Sequence, residues 1–187
     1  MTTGMFIVGL MFFLPATTPQ QSPTTAVYQN DEFGIAVPVP ANALLCPGPN
    51  NEHDHGPIML LQQSDEKGCQ DSEHARAVGI FASYNAADAT KTLSGFLNWQ
   101  CSHLLRSCLP PPKNLRIRGR VSVAAMQRGS SGWIDVIVLT QGGAPDAKFD
   151  AAVPSINYTV RLHTKQAVLE QDLQTLRLVL RTVRLAP

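Results

Sequence analysis

The sequence carries almost no excess charge and few aromatic residues. Its 187 residues include 15 Lys and Arg against 14 Asp and Glu, a formal net charge of +1, and 6% are aromatic. A near-neutral chain creates no overall electrostatic field that attracts a polyanion. Proteins that bind single-stranded nucleic acid commonly interleave aromatic side chains with basic ones, and this chain has few aromatic residues. The composition therefore predicts that nucleic acid is not a partner.

The sequence also lacks the short motifs that mark common catalytic sites. It contains no GxSxG elbow, no HExxH helix, no P-loop and no GxGxxG turn, and no two cysteines form a CxxC pair. We therefore expect a protein that is not an enzyme and needs no cofactor. The alternative is an enzyme whose active-site residues are dispersed along the chain.

The apolar run near the N-terminus is too short to cross a membrane. Residues 5–14 read MFIVGLMFFL, and a helix of this length, at about 1.5 Å per residue, falls well short of the roughly 30 Å of a bilayer core. Such a run followed by small polar residues is typical of a secretory signal peptide, although no Lys or Arg precedes it. The alternative is a buried N-terminal strand.

The signal-peptide interpretation sets the predicted organisation. We expect a signal peptide and linker over residues 1–26 and a single α+β domain over residues 27–187. The location would be periplasmic or secreted, with no stable membrane span after signal cleavage.

The four cysteines agree with export. An even number of cysteines in an exported chain indicates disulfides, and four cysteines allow three connectivities. Their order favours two local bridges, Cys46–Cys69 and Cys101–Cys108. Seven residues of helix separate Cα atoms by roughly 10 Å, beyond disulfide reach, so the second bridge requires a helix that ends before Cys108. The alternative is a cytosolic protein with four buried thiols.

Apolar periodicity predicts the secondary structure. Alternation with a period of two predicts strands over 33–39, 78–84, 117–125 and 156–162, and short apolar runs predict strands within 57–63 and 133–141. The turn-forming loop QRGSSG, at 127–132, predicts a hairpin. Apolar residues at helical spacing predict helices over 92–105 and 169–183.

The order of these elements predicts the fold class. Strands come in blocks between two helices instead of alternating with them, which indicates an α+β protein. We expect a largely antiparallel sheet flanked by the two main helices, an arrangement like an α/β/α sandwich, stapled by disulfides.

Two segments resemble a known family. YQNDEFGIAVPVP, at 28–40, and INYTVRLHTKQAVLEQDLQTLRLVLRTVRL, at 156–185, resemble the first strand and the last strand and helix of the Mog1/PsbP-like family. The resemblance covers about a quarter of the chain and consists of apolar spacing. It implies an antiparallel sheet between helices and a binding or accessory role, and it supplies no catalytic residue.

A histidine pair in the loop after Cys46 is a candidate metal site. His53 and His55 are two residues apart, so in extended backbone their imidazoles lie on one face, with Glu52 or Asp54 as a possible carboxylate ligand. Zinc or copper accepts this mixture of ligands. The alternative is a polar loop tip whose imidazoles face water.

Three arginines are candidate partner-binding residues. Arg116, Arg118 and Arg120 alternate along a predicted strand and would share one face, where guanidinium groups can hold a carboxylate-rich partner or a phosphate. The alternative is a solvated outer face that discourages aggregation.

These features together predict an exported protein that works by binding. We expect an inhibitor, immunity or accessory protein whose partner is another exported protein. A metal-binding protein using the His53 and His55 loop is the alternative from a different class.

Overall fold

A computed structural model describes the backbone of residues 26–46, 55–61, 69, 74–84, 91–103, 108–143 and 155–187. These ranges form eight strands and two α-helices. The strands are β1 (Val27–Asn30), β2 (Ile35–Pro38), β3 (Leu44–Cys46), β4 (Ile58–Leu60), β5 (Ala77–Tyr84), β6 (Val123–Arg128), β7 (Trp133–Gly142) and β8 (Ile156–Lys165). The helices are α1 (Leu93–His103) and α2 (Leu169–Thr182).

Six of the strands form one sheet. Their order is β3-β4-β5-β8-β7-β6, and neighbouring strands of this sheet are antiparallel. Strands β1 and β2 form a separate hairpin. The prediction of an α+β fold with a largely antiparallel sheet is thus confirmed. No helix within the described ranges combines the length and apolar composition needed to span a bilayer.

Helix α2 covers one face of the sheet, which we call the inner face. Its buried stripe packs with inward side chains of β5, β7 and β8 in one core cluster. The helical members are Leu173, Leu176, Val179 and Leu180. Residues along a strand alternate between faces, so Val136, Val160 and Leu162 point towards α2 while Asp135, Arg161 and His163 point to the opposite, outer face.

The β1–β2 hairpin and the C-terminal segment complete the inner core. Phe33, Ile35 and Val37 belong to the same cluster as α2. After the helix, the backbone of Arg184 pairs with Ala36 through hydrogen bonds of 2.9 and 2.8 Å. The last residues are therefore fastened to β2 by backbone hydrogen bonds.

Most predicted elements are present, with three corrections. Strand β6 begins at Val123 and not at 117, and Val121, which lies within the predicted strand, is 79% exposed. Two short strands, β1 and β3, have no period-two pattern long enough to reveal them. The hairpin β6–β7 and helix α2 lie where the periodicity placed them.

Candidate functional site

Both predicted disulfides are present. Cys46 pairs with Cys69 and Cys101 with Cys108, with Cα–Cα distances of 5.4 and 5.6 Å. The Cα–Cα distance of the second bridge is well below the roughly 10 Å that an unbroken helix would give, and Cys108 itself is not helical. Two disulfides fit a protein that folds in an oxidising compartment.

The second disulfide leads into a segment that protects a sheet edge. Directly after Cys108, the backbone of Leu109 pairs with Met126 of β6 through bonds of 2.7 and 3.1 Å. Three prolines follow at 110–112, and proline has no N–H to extend such a ladder. Edge strand β6 is thus partly covered, which hinders pairing with another chain.

His55 does not lie at a loop tip facing water. Its Nδ1 lies 2.9 Å from the carbonyl oxygen of Ala82, its own carbonyl accepts from the Ala82 N–H at 2.7 Å, and the half-buried ring packs 5.4 Å from that of Phe33. His53 lies outside the described residues, so the metal pairing stays a prediction. Elsewhere in the described part, no three His, Cys, Asp or Glu side chains form a group suited to a metal ion.

A tyrosine beside His55 has an altered acidity. The Tyr84 ring packs 5.1 Å from Phe33, and its hydroxyl donates to Oε1 of Glu32 at 3.1 Å. Burial, together with this hydrogen bond to a carboxylate, raises the pKa of Tyr84 to about 12. The hydroxyl therefore stays protonated and serves as a donor that joins β5 to the turn after β1.

The three predicted arginines do not share one strand face. A turn at 118–119 separates Arg116 and Arg118, which are exposed, from Arg120. The half-buried guanidinium of Arg120 donates to three backbone carbonyl oxygens, those of Gln141 at 3.0 Å, Leu185 at 2.8 Å and Ala186. Arg120 therefore holds the C-terminal segment. The prediction that one strand aligns the three arginines is wrong, because residues 116–120 do not form a strand.

A cluster of polar side chains lies on the outer face, which we call the Asp135 cluster. Its members stand on two adjacent strands, because Trp133 and Asp135 of β7 pair with Lys165 and His163 of β8, and Arg161 follows two positions away. Alternation puts all five side chains on the same face, opposite α2. The cluster consists of Trp133, Asp135, Arg161, His163 and Lys165.

Asp135 is the centre of the cluster. Its side chain is 2% exposed, and its Oδ1 accepts hydrogen bonds from Nε of Arg161 at 2.9 Å and from Nδ1 of His163 at 2.7 Å. Burial alone would raise the pKa of the Asp135 carboxyl, but the bonds from His163 and Arg161 outweigh it and hold the pKa below its usual value. The carboxylate is thus ionised and accepts only, so Nδ1 of His163 carries a proton.

Trp133 connects the dyad of Asp135 and His163 to Lys165. The indole stacks on the His163 ring, with centroids 4.3 Å apart and planes 11° apart, and the ammonium of Lys165 lies 3.8 Å from the indole centroid. Lys165 also donates to the carbonyl of Ser131 at 3.3 Å, in the tight loop that joins β6 to β7. The geometry is a cation–π contact beside an aromatic stack.

Two buried polar atoms on either side of Asp135 are unsatisfied. Gln127 pairs with Asp135 across β6 and β7, and among the described residues neither its Oε1 nor Nε2 of His163 has a hydrogen-bond partner. The Gln127 amide nitrogen contacts Sγ of Cys108 at 3.6 Å. Buried polar atoms without a partner are rare in folded proteins. Oε1 of Gln127 and Nε2 of His163 are therefore two atoms beside Asp135 that no described side chain satisfies.

His163 and Arg161 differ in what they present beside Asp135. A carboxylate-oriented histidine activates a nucleophile only when Nε2 meets a hydroxyl or thiol, and in the described part Nε2 of His163 meets none. Arg161 is different, because Asp135 holds its Nε while the side chain remains 41% exposed. Its guanidinium is therefore oriented by a buried anchor, on a side chain that is partly accessible to solvent.

Sequence reasoning missed this cluster although a signal was present. Asn157, Thr159, Arg161 and His163 alternate with apolar residues on β8, which turned out to be central in the sheet. A central strand is covered on both faces, and charged side chains are rarely buried unless they are paired. Polar residues on one face of such a strand, beside a strand that carries an Asp, therefore indicate a cluster of paired charges. The prediction treated these positions only as the polar half of a strand.

Comparisons with known proteins add no family. No protein-family model matches the chain, and a search of curated proteins finds no match. The resemblance to Mog1/PsbP-like proteins therefore stays a prediction.

Proposed function

We propose that this protein is a periplasmic or secreted binding protein without catalytic activity, and that it recognises an acidic group of another exported protein through the Asp135 cluster. The observation that carries the proposal is the state of Arg161, whose Nε is held by a buried carboxylate while its side chain remains 41% exposed.

Arg161 is prepared for a carboxylate. A guanidinium offers planar pairs of N–H donors that match a carboxylate in a bidentate bond. The bond to Asp135 removes much of the side-chain freedom that Arg161 would otherwise lose on binding. An oriented arginine therefore binds with a smaller entropic cost than a freely rotating one.

The neighbours of Arg161 supply the rest of a contact surface. Trp133 and Lys165 are half-buried, and each leaves part of its side chain accessible beside the histidine ring. Tryptophan and arginine are the residues most enriched among those that dominate protein–protein binding energy. With Asp135 buried, the exposed charges of the cluster are positive, which complements an acidic partner.

The position of helix α1 indicates that part of the outer face of the sheet is covered and part is accessible. Phe96 of α1 is buried without belonging to the inner core, and Cys108, bridged to α1, contacts Gln127 on the outer face. We infer that α1 covers the β6 and β7 end of the outer face and that the two helices flank the sheet. Because Arg161 stands on β8, the strand next to β7, its exposed part would then lie beside the helix.

Fluorescence of Trp133 tests the proposed site. In a Trp99→Phe background, Trp133 is the remaining tryptophan, and binding of a short glutamate-rich peptide should change its emission. The glutamine counterpart of the peptide should have no effect. We expect Arg161→Gln to weaken binding about tenfold or more and Arg161→Lys to weaken it as well, because an ammonium cannot form the bidentate bond.

Arg128→Gln is the matched control, since Arg128 is exposed at the hairpin end of β6, on the opposite face from Gln127 and the Asp135 cluster, and belongs to no described ion pair. If Arg161→Gln binds the acidic peptide as tightly as the unsubstituted protein, recognition does not use this cluster. A peptide that is hydrolysed during the titration would overturn the assignment as a non-catalytic protein.

Export is tested separately with residues 1–30 fused to a reporter enzyme that is active only after export. We expect activity outside the cytoplasm and a mature protein that begins within or just after the linker. A reporter retained in the cytoplasm would contradict the proposed location without bearing on the binding site.

A further inference from the structure

A second charged surface lies on the other side of the molecule from the Asp135 cluster. Arg177 and Arg181 are one turn apart on α2, the helix that covers the inner face. Like charges at this spacing repel each other and destabilise a helix slightly. In the part of the chain that the structure describes, neither guanidinium has an acidic partner, so the fold itself does not account for the pair.

The segment before β6 adds two more arginines to this surface. The N–H of Arg118 donates to the carbonyl of Leu180 at 3.0 Å, which brings Arg118 beside Arg181. Arg116 stands two positions earlier on the same exposed side, because the intervening Ile117 is buried in the core with Leu180. We call these four arginines and Leu178 the arginine surface.

Leu178 adds an apolar side chain at the edge of the arginine surface. It is 51% exposed on the solvent side of α2, and it lies one turn from Arg181. The carboxylate of Asp172 is buried against Arg76 and does not neutralise this side. Arginines beside an exposed apolar side chain suit contact with an anionic membrane surface, which attracts basic residues and takes up apolar ones.

We propose that the arginine surface binds the phosphate headgroups of an anionic phospholipid bilayer, with Leu178 inserted among them. The arginines would form charge-assisted hydrogen bonds to phosphate oxygens, and the leucine would lose its contact with water. The protein would attach peripherally and reversibly. This surface is independent of the Asp135 cluster, so the two binding modes can occur together.

Co-sedimentation of the full chain with vesicles tests this inference. We expect binding to vesicles that contain phosphatidylglycerol, little binding to pure phosphatidylcholine, and release as salt rises. Each basic residue near an anionic surface contributes about fivefold in affinity, so Arg177→Gln/Arg181→Gln should weaken binding about thirtyfold. Leu178→Ser should weaken binding with an unchanged salt dependence, because it removes no charge.

Three controls separate this effect from misfolding and from the other site. Arg128→Gln removes an exposed arginine elsewhere and should bind vesicles normally. Arg161→Gln should also bind them normally, which distinguishes failure here from failure of the proposed function. Circular dichroism and an unchanged denaturation midpoint verify that the helical variants are folded.

The inference is overturned if the protein ignores phosphatidylglycerol vesicles, if it binds both lipid compositions equally, or if the folded double variant binds as well as the unsubstituted protein. Binding to soluble polyglutamate with no binding to vesicles would also overturn it, and would identify an acidic protein as the partner of this surface.

Discussion

Arg76 and Asp172, 96 residues apart in sequence, form a salt bridge that joins the entrance of β5 to the first turn of α2. Nε of Arg76 donates to Oδ2 of Asp172 at 2.9 Å, and a terminal nitrogen donates to Oδ1. The hydroxyl of Thr164, on β8, donates to the same carboxylate. The hydrogen bond to Asp172 is the main reason that the pKa of Arg76 is raised. One buried carboxylate thus links the helix to two strands of the sheet.

Removing Arg76 should destabilise the protein strongly. Asp172 is 3% exposed, so Arg76→Ala leaves a buried carboxylate whose remaining donor among the described residues is the hydroxyl of Thr164. We expect a loss of about 3 kcal/mol in the free energy of unfolding, measured by urea denaturation. The double variant Arg76→Met/Asp172→Leu should lose less than the sum of the single effects, because it leaves no unpaired charge. An Arg76→Ala protein with an unchanged midpoint would contradict this role.

Arg120 should contribute to stability in a way that Arg116 does not. Arg120→Ala leaves the carbonyls of Gln141, Leu185 and Ala186 without this donor, and we expect a loss of about 2 kcal/mol in the free energy of unfolding. Arg116→Ala, on an exposed side chain, should change it by less than about 0.5 kcal/mol. Hydrogen exchange at Arg184 should accelerate in the Arg120 variant alone. Equal effects of the two substitutions would contradict the assignment.

Apolar periodicity was sufficient for the elements with a clean repeat. Strand β8 alternates over its whole length, and α2 keeps its apolar stripe over every turn, so both were predictable. Local spacing also favoured the two disulfide pairs, since each closes a short loop. Strand β3, with three residues, is too short to show any period.

The Asp135 cluster depends on strand order, which periodicity does not reveal. Asp135 and His163 meet because β7 pairs with β8 in one register, and a one-residue slip would put them on opposite faces. The arginine at 120 illustrates the opposite case. Alternation predicted a strand there, but the turn at 118–119 redirected the side chain towards C-terminal carbonyls that are distant in sequence.

Asp135 should make stability depend on acidic pH. The pKa of Asp135 is lowered in the folded state, whereas the pKa of an Asp in an unfolded chain is about 3.9. Its contribution is therefore fully present above about pH 4 and is lost as pH falls through the lower folded pKa. The difference in unfolding free energy between the unsubstituted protein and Asp135→Asn should be constant near neutral pH and should shrink below about pH 4.

Asp31→Asn is the control for that experiment, because Asp31 lies in the turn before β2 and is exposed. The difference in unfolding free energy between Asp31→Asn and the unsubstituted protein should vary less with pH than the difference for Asp135→Asn. A difference for Asp135→Asn that stays constant down to pH 2 would mean that the carboxylate gains nothing from His163 and Arg161.

The two disulfides should differ in how much they stabilise the fold. Cys46–Cys69 spans 23 residues and Cys101–Cys108 spans 7, and the entropy removed from the unfolded chain grows with loop length. In the chain-entropy description, Cys46→Ala/Cys69→Ala should cost about 3 kcal/mol and Cys101→Ala/Cys108→Ala about 2 kcal/mol in urea denaturation. Mass spectrometry before and after reduction should show a gain of four hydrogens in the unsubstituted protein. A larger loss for the short bridge would show that it stabilises the folded state directly, through the edge contact of Leu109 with Met126.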